Sequence, residues 1–574
     1  MNSENPREWI TVETDEEAAV ALAGKLSVPL PVARLLVSRG FTNVDQAGDF
    51  INPRLSNLED PFALGGVKDA SVRIWKAINA KDRITIFGDY DADGVTSTAL
   101  LIMVLQELGA NVESYIPNRH DEGYGLSVDA LNSAIEKTDP SLIITVDCGT
   151  TSSDAVTASV KRGVDVIITD HHECSGEPPV DAVAIINPKL NGSDDTKVLA
   201  GVGVAFKLCH GLVKLGNEIE NADVENIDLR IYLDLVALGT VADVVPLTGE
   251  NRILVRHGLA KINTQPSCGL QALIRATGVR TKIDCYHLGF LIGPRINAAG
   301  RLASADLALR LLLSDNPGKA KRLAGQLDSA NRERKMIEDR IIENAVVEVE
   351  ATFDNDKSFG ITAAGDGWHI GTIGIVAARL CGRYKRPAVV ISFNDEGMGR
   401  GSCRSIGSIN IIEALKECSK LLEKCGGHKM AAGLSIKREN IEKFKKCFND
   451  ACQKQVNPED LVEKYYVDSW ITLGDADETM LAAVDLLRPL GIGNQTPLWG
   501  AKNLSVVGRP RVVGKNHLKL TLANGGSQID AIGFGLGDYD IGNGNLDLLF
   551  QVQENNYMGH KSIQLNIKDM RASE

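Results

Sequence analysis

From about Ile84 onward one grammar recurs along the chain: a short apolar run, a cluster of Asp, Gly or Thr, then an amphipathic helical stretch. Strand followed by helix, repeated, packs as parallel βα units with helices covering the sheet. The clearest runs, Ile84–Phe87, Leu142–Val146 and Val166–Thr169, are apolar or threonine throughout, as strands buried on both faces require. Each leads directly into acidic or histidine-bearing residues: Asp89 to Gly94, Asp147 to Gly149, and Asp170 to His172. Ligands of open α/β sheets bind beyond the carboxyl ends of the strands, so these three ends are expected to share one crevice.

The pattern changes twice. Residues 328–350 are charged and free of Gly and Pro, with Met336, Ile337, Ile341, Ile342, Ala345 and Val346 at helical spacing, which reads as a long helix between two domains. A Gly-rich α/β unit follows, with strands near Gly360–Ala363, Ala388–Phe393 and Ala432–Ile436. After about Asn457 the chain closes on short alternating strands, Ser505–Val513, His517–Ala523, Ile529–Phe534, Leu546–Val552 and Ser562–Ile567, a pattern compatible with an OB-like barrel. The expected architecture is therefore α/β and multi-domain. It comprises an N-terminal helical segment (1–50), a parallel-sheet domain (51–320), a connecting helix (321–352), a smaller α/β domain (353–456) and a C-terminal all-β OB-like domain (457–574).

Composition removes several function classes. With 44% apolar and 24% charged residues the chain is neither disordered nor a membrane bundle. No run approaches ~18 consecutive apolar residues, and Glu4, Arg7 and Glu8 stand where a signal peptide needs an apolar core, so nothing is expected to be exported or to span a membrane. A net charge of −13 argues against coating duplex DNA by global positive charge, but it leaves room for a local basic groove. Eleven scattered cysteines with no Cys-x-x-Cys pair point to neither a disulfide framework nor a zinc ribbon, and to a reducing cytoplasm.

The acidic strand ends carry the chemistry. Asp89, Asp91 and Asp93 alternate after a strand, and Gly94 permits the tight turn into a helix. The same string opens calcium loops, yet the Glu expected six residues after the glycine is Leu100. Any one Asp after a strand also reads as a cap of the following helix. Asp147, Asp170-His171-His172 and Asp243 all read as strand-end residues, and a mixed Asp and His set suits Mn²⁺ or Mg²⁺.

Taken in order, DYDADG (89–94), VDCGT (146–150), DHH (170–172) and LDLVALGTVADVVPL (233–247) resemble the DHH phosphoesterases. GPRINAAGRL (293–302), GWHIGTIGIVAARL (367–380), GSCRSIGSINI (401–411), CGGHKMAAGLSI (425–436) and PLGIGNQTPLW (489–499) are similar to the RecJ single-strand exonucleases within that family. The resemblance spans nearly the whole chain. It implies a DHH domain at 51–320, a DHH-associated substrate-binding domain at 353–456 and a nucleic-acid-binding barrel.

By that resemblance Asp91, Asp93, Asp147, His171 and Asp243 would ligate two ions, with Asp147 bridging, and Asp89, Asp170 and His172 would be catalytic neighbours that orient ligands or move protons. Mn²⁺ would be preferred over Mg²⁺ because an imidazole favours a borderline metal. Asp234 rivals Asp243 in the fourth motif. We favour Asp243 because it would follow the strand that Asp234 begins. Arg119, Arg295, Asn297, Arg301, Ser402, Arg404 and Ser405 would hold a 5′ phosphate and the strand behind it, although any of the arginines also reads as a surface ion pair. Gly426, Gly427 and His428 would form a turn that grips a nucleotide, and His428 alone reads equally as structural. Cys403 places a thiol within the expected phosphate loop, oxidisable if exposed. On the barrel, Lys515, His517 and Lys519 supply local charge, while Trp499, Phe534 and Tyr557 read as stacking platforms or as core.

The implied activity is metal-dependent 5′-to-3′ hydrolysis of single-stranded DNA to mononucleotides in recombination and repair, with a single-strand-binding protein and a RecQ-type helicase as partners. A phosphodiesterase for short oligonucleotides or cyclic dinucleotides would need neither GPRINAAGRL nor the barrel. A catalytically dead scaffold is at odds with the intact Asp91, Asp93, Asp147, His171 and Asp243.

Overall fold

The computed structural model describes residues 7–117, 125–174, 176–219, 224–302, 304–407, 409–457, 459, 462–542, 544–557 and 560–573. The first described element is β1 (Arg7–Thr11), a strand within the segment expected to be helical, and three helices follow between Glu16 and Ile51. β1 forms because it has a partner far along the sequence, described below.

The first α/β domain is an all-parallel sheet of β2 (Arg83–Gly88), β3 (Asn111–Tyr115), β4 (Leu142–Val146), β5 (Asp165–Thr169) and β6 (Ala184–Ile186), in the order β3-β2-β4-β5-β6. β2, β4 and β5 are the three strands legible in the sequence. Ile84, Ile86, Ile144 and Val146 face a core shared with the helices Ala92–Glu107 and Gly201–Gly216, while Phe87, Ile143, Val166 and Ile168 face the helices Val128–Thr138 and Ser153–Lys161. Burial on both faces explains why these strands do not alternate. The connection after β2 runs towards β3 and the one after β4 towards β5, so the order reverses between β2 and β4. The acidic segments after these strands flank that switch point, where such sheets leave a crevice.

One expectation fails here. Leu233–Ala242 is a helix, so Asp243 is a helix C-cap and not a strand end. Nearly every side chain of that helix is buried, and a short continuous apolar run does not distinguish a buried strand from a buried helix.

The connecting helix is Pro317–Glu350, 34 residues, or about 50 Å at 1.5 Å per residue. Ala320, Leu323, Ala324 and Leu327 belong to the first domain's core, whereas Ile341, Ala345 and Val349 belong to the second's. Between them Arg334 donates to Asn331 Oδ1 (2.8 Å) and pairs with Glu338, a polar cluster that fills the gap between two apolar stripes.

The second domain has a mixed sheet of β7 (Ile361–Asp366), β8 (Ala388–Phe393), β9 (Met398–Arg404), β10 (Leu422–Gly427) and β11 (Ala431–Lys437), ordered β10-β11-β9-β8-β7. GSCR, expected within a phosphate loop, is the end of β9, and Cys403 is wholly buried beneath it.

Next come β12 (Glu463–Val467), the parallel partner of β1, and β13 (Ser469–Trp470). β14 (Trp499–Val513), β15 (His517–Asn524), β16 (Ser527–Phe534), β17 (Leu546–Tyr557) and β18 (His560–Ala572) then close a barrel, because β14 pairs with both β15 and β17. Trp499 fills its interior, whereas Phe534 is 54% exposed beside His517, ring centroids 5.1 Å apart. The Tyr557 side chain lies outside the described residues. Leu22, Leu35, Leu36 and Phe50 share one core with Leu487, Trp499 and Phe550, so the N-terminal helices cover the barrel. Arg252 locks this assembly to the first domain. It donates to Phe50 O (2.7 Å) and Leu487 O (2.9 Å), and its guanidinium lies 3.8 Å from the Phe50 ring centroid. Among the described residues no helix is long and apolar enough to cross a membrane.

Candidate metal centre and strand-binding cleft

The Asp-x-Asp-x-Asp segment is shaped by its own backbone. Asp91 caps the helix Ala92–Glu107, its Oδ1 accepting the amides of Asp93 (3.0 Å) and Gly94 (3.1 Å). A Cβ on Gly94 would stand 2.5 Å from Asp89 O, so the turn requires glycine. Asp93 is buried, and both of its oxygens accept amides from the N-terminus of another helix: Gly201 N at 2.6 Å and Val202 N at 2.8 Å. Neither Gly201 nor Val202 was singled out from the sequence. A Gly-x-Gly opening of an apolar helix was the signal available, and it matters because a helix N-terminus holds a carboxylate well.

Asp147 follows β4 with φ of 62°, a left-handed conformation unusual outside glycine, which turns its carboxylate into the cluster. His171 Nε2 lies 3.1 Å from Asp147 Oδ1, 3.4 Å from Asp243 Oδ2 and 3.8 Å from Asp93 Oδ2. Ligand atoms of three sets lie within 4.8 Å of one another: Asp89, Asp91 and Asp147; Asp93, His171 and Asp243; and Asp147, His171 and His172. Asp147 and His171 each belong to two sets. Asp147 Oδ1 and His171 Nε2 are buried and make no hydrogen bond, and this is the observation that tests the fit of a cation. Two buried polar atoms without a partner are costly unless something else binds them. Hard oxygens with one imidazole suit Mn²⁺ or Mg²⁺.

Burial, and then mutual repulsion, raises the carboxyl groups here: Asp93 to about 7, Asp243 to about 9, and Asp147 also well above the ordinary range. His171 falls to about 4 through burial and the neighbouring His172, which leaves it a neutral ring able to donate a lone pair. Asp170 behaves differently. Burial pushes it up, but the hydrogen bond and charge of His172, with the Thr150 amide, hold it low. Its Oδ1 meets His172 Nδ1 at 2.8 Å and accepts both histidine amides, and its Oδ2 accepts Thr150 N at 3.0 Å. Asp234 is buried away from the cluster, with Oδ2 on Ser267 N (2.7 Å) and Oδ1 on its neighbour Leu235 N (3.0 Å).

Beside the cluster a cleft of about 630 Å³ separates the two α/β domains. Tyr90, Asp91, Asn297 and Arg301 line one wall, and Arg400, Ser402, Arg404, Lys424, Gly426 and Gly427 line the other. Asn297 Oδ1 accepts Ala92 N (2.7 Å), so it also braces the acidic turn. Arg301 Nη1 donates to Gly371 O (2.9 Å) across the domains, where a Cβ on Gly371 would sit 2.9 Å from Arg301 O. The second-domain glycines of GWHIGTIG thus permit the close approach. Arg400 and Lys424 were not anticipated. Arg400 alternates with Ser402 and Arg404 on β9, and Lys424 with Gly426 on β10, the two strands that flank β11, and this period-2 spacing was the signal.

Several expected binders lie elsewhere. Arg295 faces the connecting helix, bonding Asp328 Oδ1 through Nε (3.0 Å) and Nη2 (2.8 Å). Ser405 Oγ is buried and donates to Ile409 O (2.6 Å). His428 is exposed in the hairpin turn after β10 and does not line the cleft, because Gly426 and Gly427 are strand and the turn begins at His428. Arg119 lies outside the described residues.

Comparison with known proteins follows the same division of the chain. Residues 83–240 match the DHH family N-terminal domain, 356–454 the DHHA1 domain and 467–569 the RecJ OB domain. The chain is 37% identical to the single-stranded-DNA-specific exonuclease RecJ of Bacillus subtilis, over 99% of this chain and 71% of that protein. It is 35% identical to RecJ of Salmonella typhimurium, over 97% of this chain and 98% of that one. Among solved structures it is similar to RecJ of Thermus thermophilus in complex with Mn²⁺, with a TM-score of 0.84 and 29% identity over 100% of this chain and 80% of that one. At this identity and coverage, with all three domain types in the same order, the chain belongs to the RecJ family.

Proposed function

We propose that this chain is a divalent-metal-dependent exonuclease that hydrolyses single-stranded DNA from its 5′ end to mononucleotides in recombination and repair. The observation that carries the reading is the buried pair Asp147 Oδ1 and His171 Nε2, 3.1 Å apart and without hydrogen bonds, beside a cleft whose far wall is basic. In this reading Asp91, Asp93, Asp147, His171 and Asp243 would hold two ions, Mn²⁺ ahead of Mg²⁺, with Asp147 as the residue common to both. A relative crystallised with Mn²⁺ and with Mg²⁺ supports a site for either ion, and the preference for Mn²⁺ rests on the imidazole of His171. Bound there, the cations supply the charge that activates water and stabilises the leaving oxygen.

The chain's own groups do the rest. Asp170 positions the His172 ring through the 2.8 Å bond to Nδ1, and His172 and Asp89 are the groups we assign to proton transfer or to orienting water. Arg301, Ser402 and Arg404 bind phosphate oxygens, and the bare backbone of Gly426 and Gly427 lets a nucleotide approach closely. Asn297 stands beside Arg301 on the first domain's wall, and by the resemblance Arg119 would add a further phosphate contact. Arg295 and Ser405 act indirectly, Arg295 by tying its helix to Asp328 and Ser405 by holding the segment after β9 through Ile409 O. The Arg301 bridge to Gly371 narrows the slot between the domains, which favours one strand over two. On the barrel, exposed Phe534 with His517, Lys515 and Lys519 forms a stacking and charge platform. The units 51–320, 353–456 and 457–574 then serve as catalytic, clamping and strand-holding parts, with 1–50 joined to the barrel.

An enzyme that needs free single strands works with an unwinding enzyme and with the protein that coats the product. A RecQ-type helicase and a single-strand-binding protein, in the cytoplasm, therefore fit this reading, and the acidic surface remaining at a net charge of −13 leaves faces for protein contacts.

The deciding experiment gives the protein Mn²⁺ and a long single strand, 5′-phosphorylated and labelled at its 3′ end, beside a matched blunt duplex and an Asp147→Ala control. Progressive shortening of the strand, with the duplex spared and the variant silent, is expected. Binding without cleavage would replace the reading with a scaffold, and cleavage confined to very short oligomers would replace it with a small-substrate phosphodiesterase.

A further inference from the structure

Of the eleven cysteines, two bring their sulfurs together: Cys418 Sγ and Cys447 Sγ stand 2.7 Å apart. Elsewhere the thiols that have polar contacts meet carbonyl oxygens, as Cys381 Sγ does Ser405 O (3.4 Å) and Cys174 Sγ does Gly176 O (3.2 Å). Cys418 is buried at the end of the helix Ile411–Glu417, and Cys447 is half-buried on the helix Ile441–Gln455. Their surroundings hold the two segments in register. Lys454 Nζ bonds Glu417 Oε2 (2.7 Å), Asn440 Nδ2 donates to Leu421 O (3.2 Å), and Cys418, Leu415, Phe444 and Phe448 share one apolar core.

We propose that Cys418 and Cys447 are a peroxide-oxidisable thiol pair that closes to a disulfide, tying the root of β10 to the helix Ile441–Gln455. A disulfide needs about 2.0 Å between sulfurs, and these two already stand 2.7 Å apart. The step balances with a hydroperoxide as oxidant. The solvent-accessible Cys447 thiolate attacks one peroxide oxygen, the O–O bond breaks, and the departing alkoxide or hydroxide takes up the thiol's proton, leaving a sulfenic acid. Cys418 sulfur then attacks Cys447 sulfur. The S–S bond forms, the S–O bond breaks, and hydroxide leaves with the Cys418 proton as water. Two thiols lose two electrons and two hydrogens, and the hydroperoxide is reduced to an alcohol and water.

Burial raises the Cys418 thiol far above its ordinary range, so Cys447 acts first and Cys418 resolves. The bridge would close a loop spanning the whole β10–β11 hairpin. Cys418 precedes the turn Ser419–Leu421 that feeds β10, and Lys424 to Gly427 of that strand line the cleft, so the modification writes on the wall that faces the metal cluster.

The test treats the full-length protein with one equivalent of hydrogen peroxide, alkylates the remaining thiols and maps tryptic peptides by mass spectrometry. The expected product links Glu417–Lys420 to Cys447–Lys454, with fragmentation placing the bond on Cys447 rather than Cys452. Two alkylatable thiols should be lost and then regained with dithiothreitol. Cys447→Ser should give no link and leave Cys418 alkylatable after the same treatment. A bond on Cys452, sulfinic acid at Cys447 with Cys418 still reduced, or eleven thiols surviving the oxidant would each overturn the proposal on the unmutated protein alone.

Discussion

The Asp93 carboxylate accepts the Gly201 amide at 2.6 Å, a bond between residues 108 positions apart that pins a strand-end acid to the N-terminus of another helix. A Cβ at position 201 would stand 2.9 Å from Asp93 Oδ2 and 3.0 Å from Asp147 Oδ1. Gly201→Ala should therefore displace two carboxylates at once while the helix itself tolerates alanine. We expect Mn²⁺ affinity to fall about ten- to hundredfold, as when outer partners of metal ligands are lost. Calorimetric titration of the folded variant checks this, and unchanged affinity would show that the Gly201 contact does not position the site.

The raised carboxyl groups set a pH dependence. A carboxyl held above its ordinary value of 3.8 binds its proton more tightly in the folded state, so its contribution is full below that value and is lost as pH rises through about 7 for Asp93 and about 9 for Asp243. Metal competes with those protons and offsets the charge. Thermal unfolding in EDTA should fall from about pH 6 to about pH 8, and the gap between Mn²⁺ and EDTA should widen over the same interval. A gap independent of pH would mean that these carboxyls do not receive the ion.

Asp243 and Asp234 lie in one motif and should separate cleanly. Asp243 Oδ2 is 3.4 Å from His171 Nε2, whereas Asp234 is spent on the amides of Ser267 and Leu235. Asp243→Asn should weaken metal binding at least about tenfold, and Asp234→Asn should chiefly lower the melting temperature, leaving a carbonyl oxygen able to accept one of those amides. The reverse ranking in a metal titration would exchange the assignments.

Arg404 and Arg295 make a second contrast. Arg404 lines the cleft, so Arg404→Ala should lower kcat/KM on 5′-phosphorylated strands about ten- to hundredfold, the worth of one charge-assisted bond. Arg295 is held by Asp328, so Arg295→Ala should cost about 1–3 kcal/mol of stability with a much smaller effect on KM. Melting curves and steady-state kinetics on the same two variants decide it.

The sequence by itself determined the elements whose signal is local. β2, β4 and β5 were legible because strands buried on both faces must be apolar throughout, and the barrel strands were legible because one wet face enforces alternation. Asp91, Asp93, Asp147 and the DHH triplet were legible because turn chemistry places acids where strands end. What only the tertiary structure decided are choices between residues with equal local claims. Leu233–Ala242 is a helix because neighbours surround it on every side, and no periodicity records that. Arg295 and Arg301 share one ten-residue segment, yet one meets Asp328 and the other Gly371, because successive turns of a helix face different partners. β1 is a strand because Glu463–Val467 lies beside it, more than 450 residues away. Long-range packing assigns these roles, and a side chain's partner is set by what the fold brings to it.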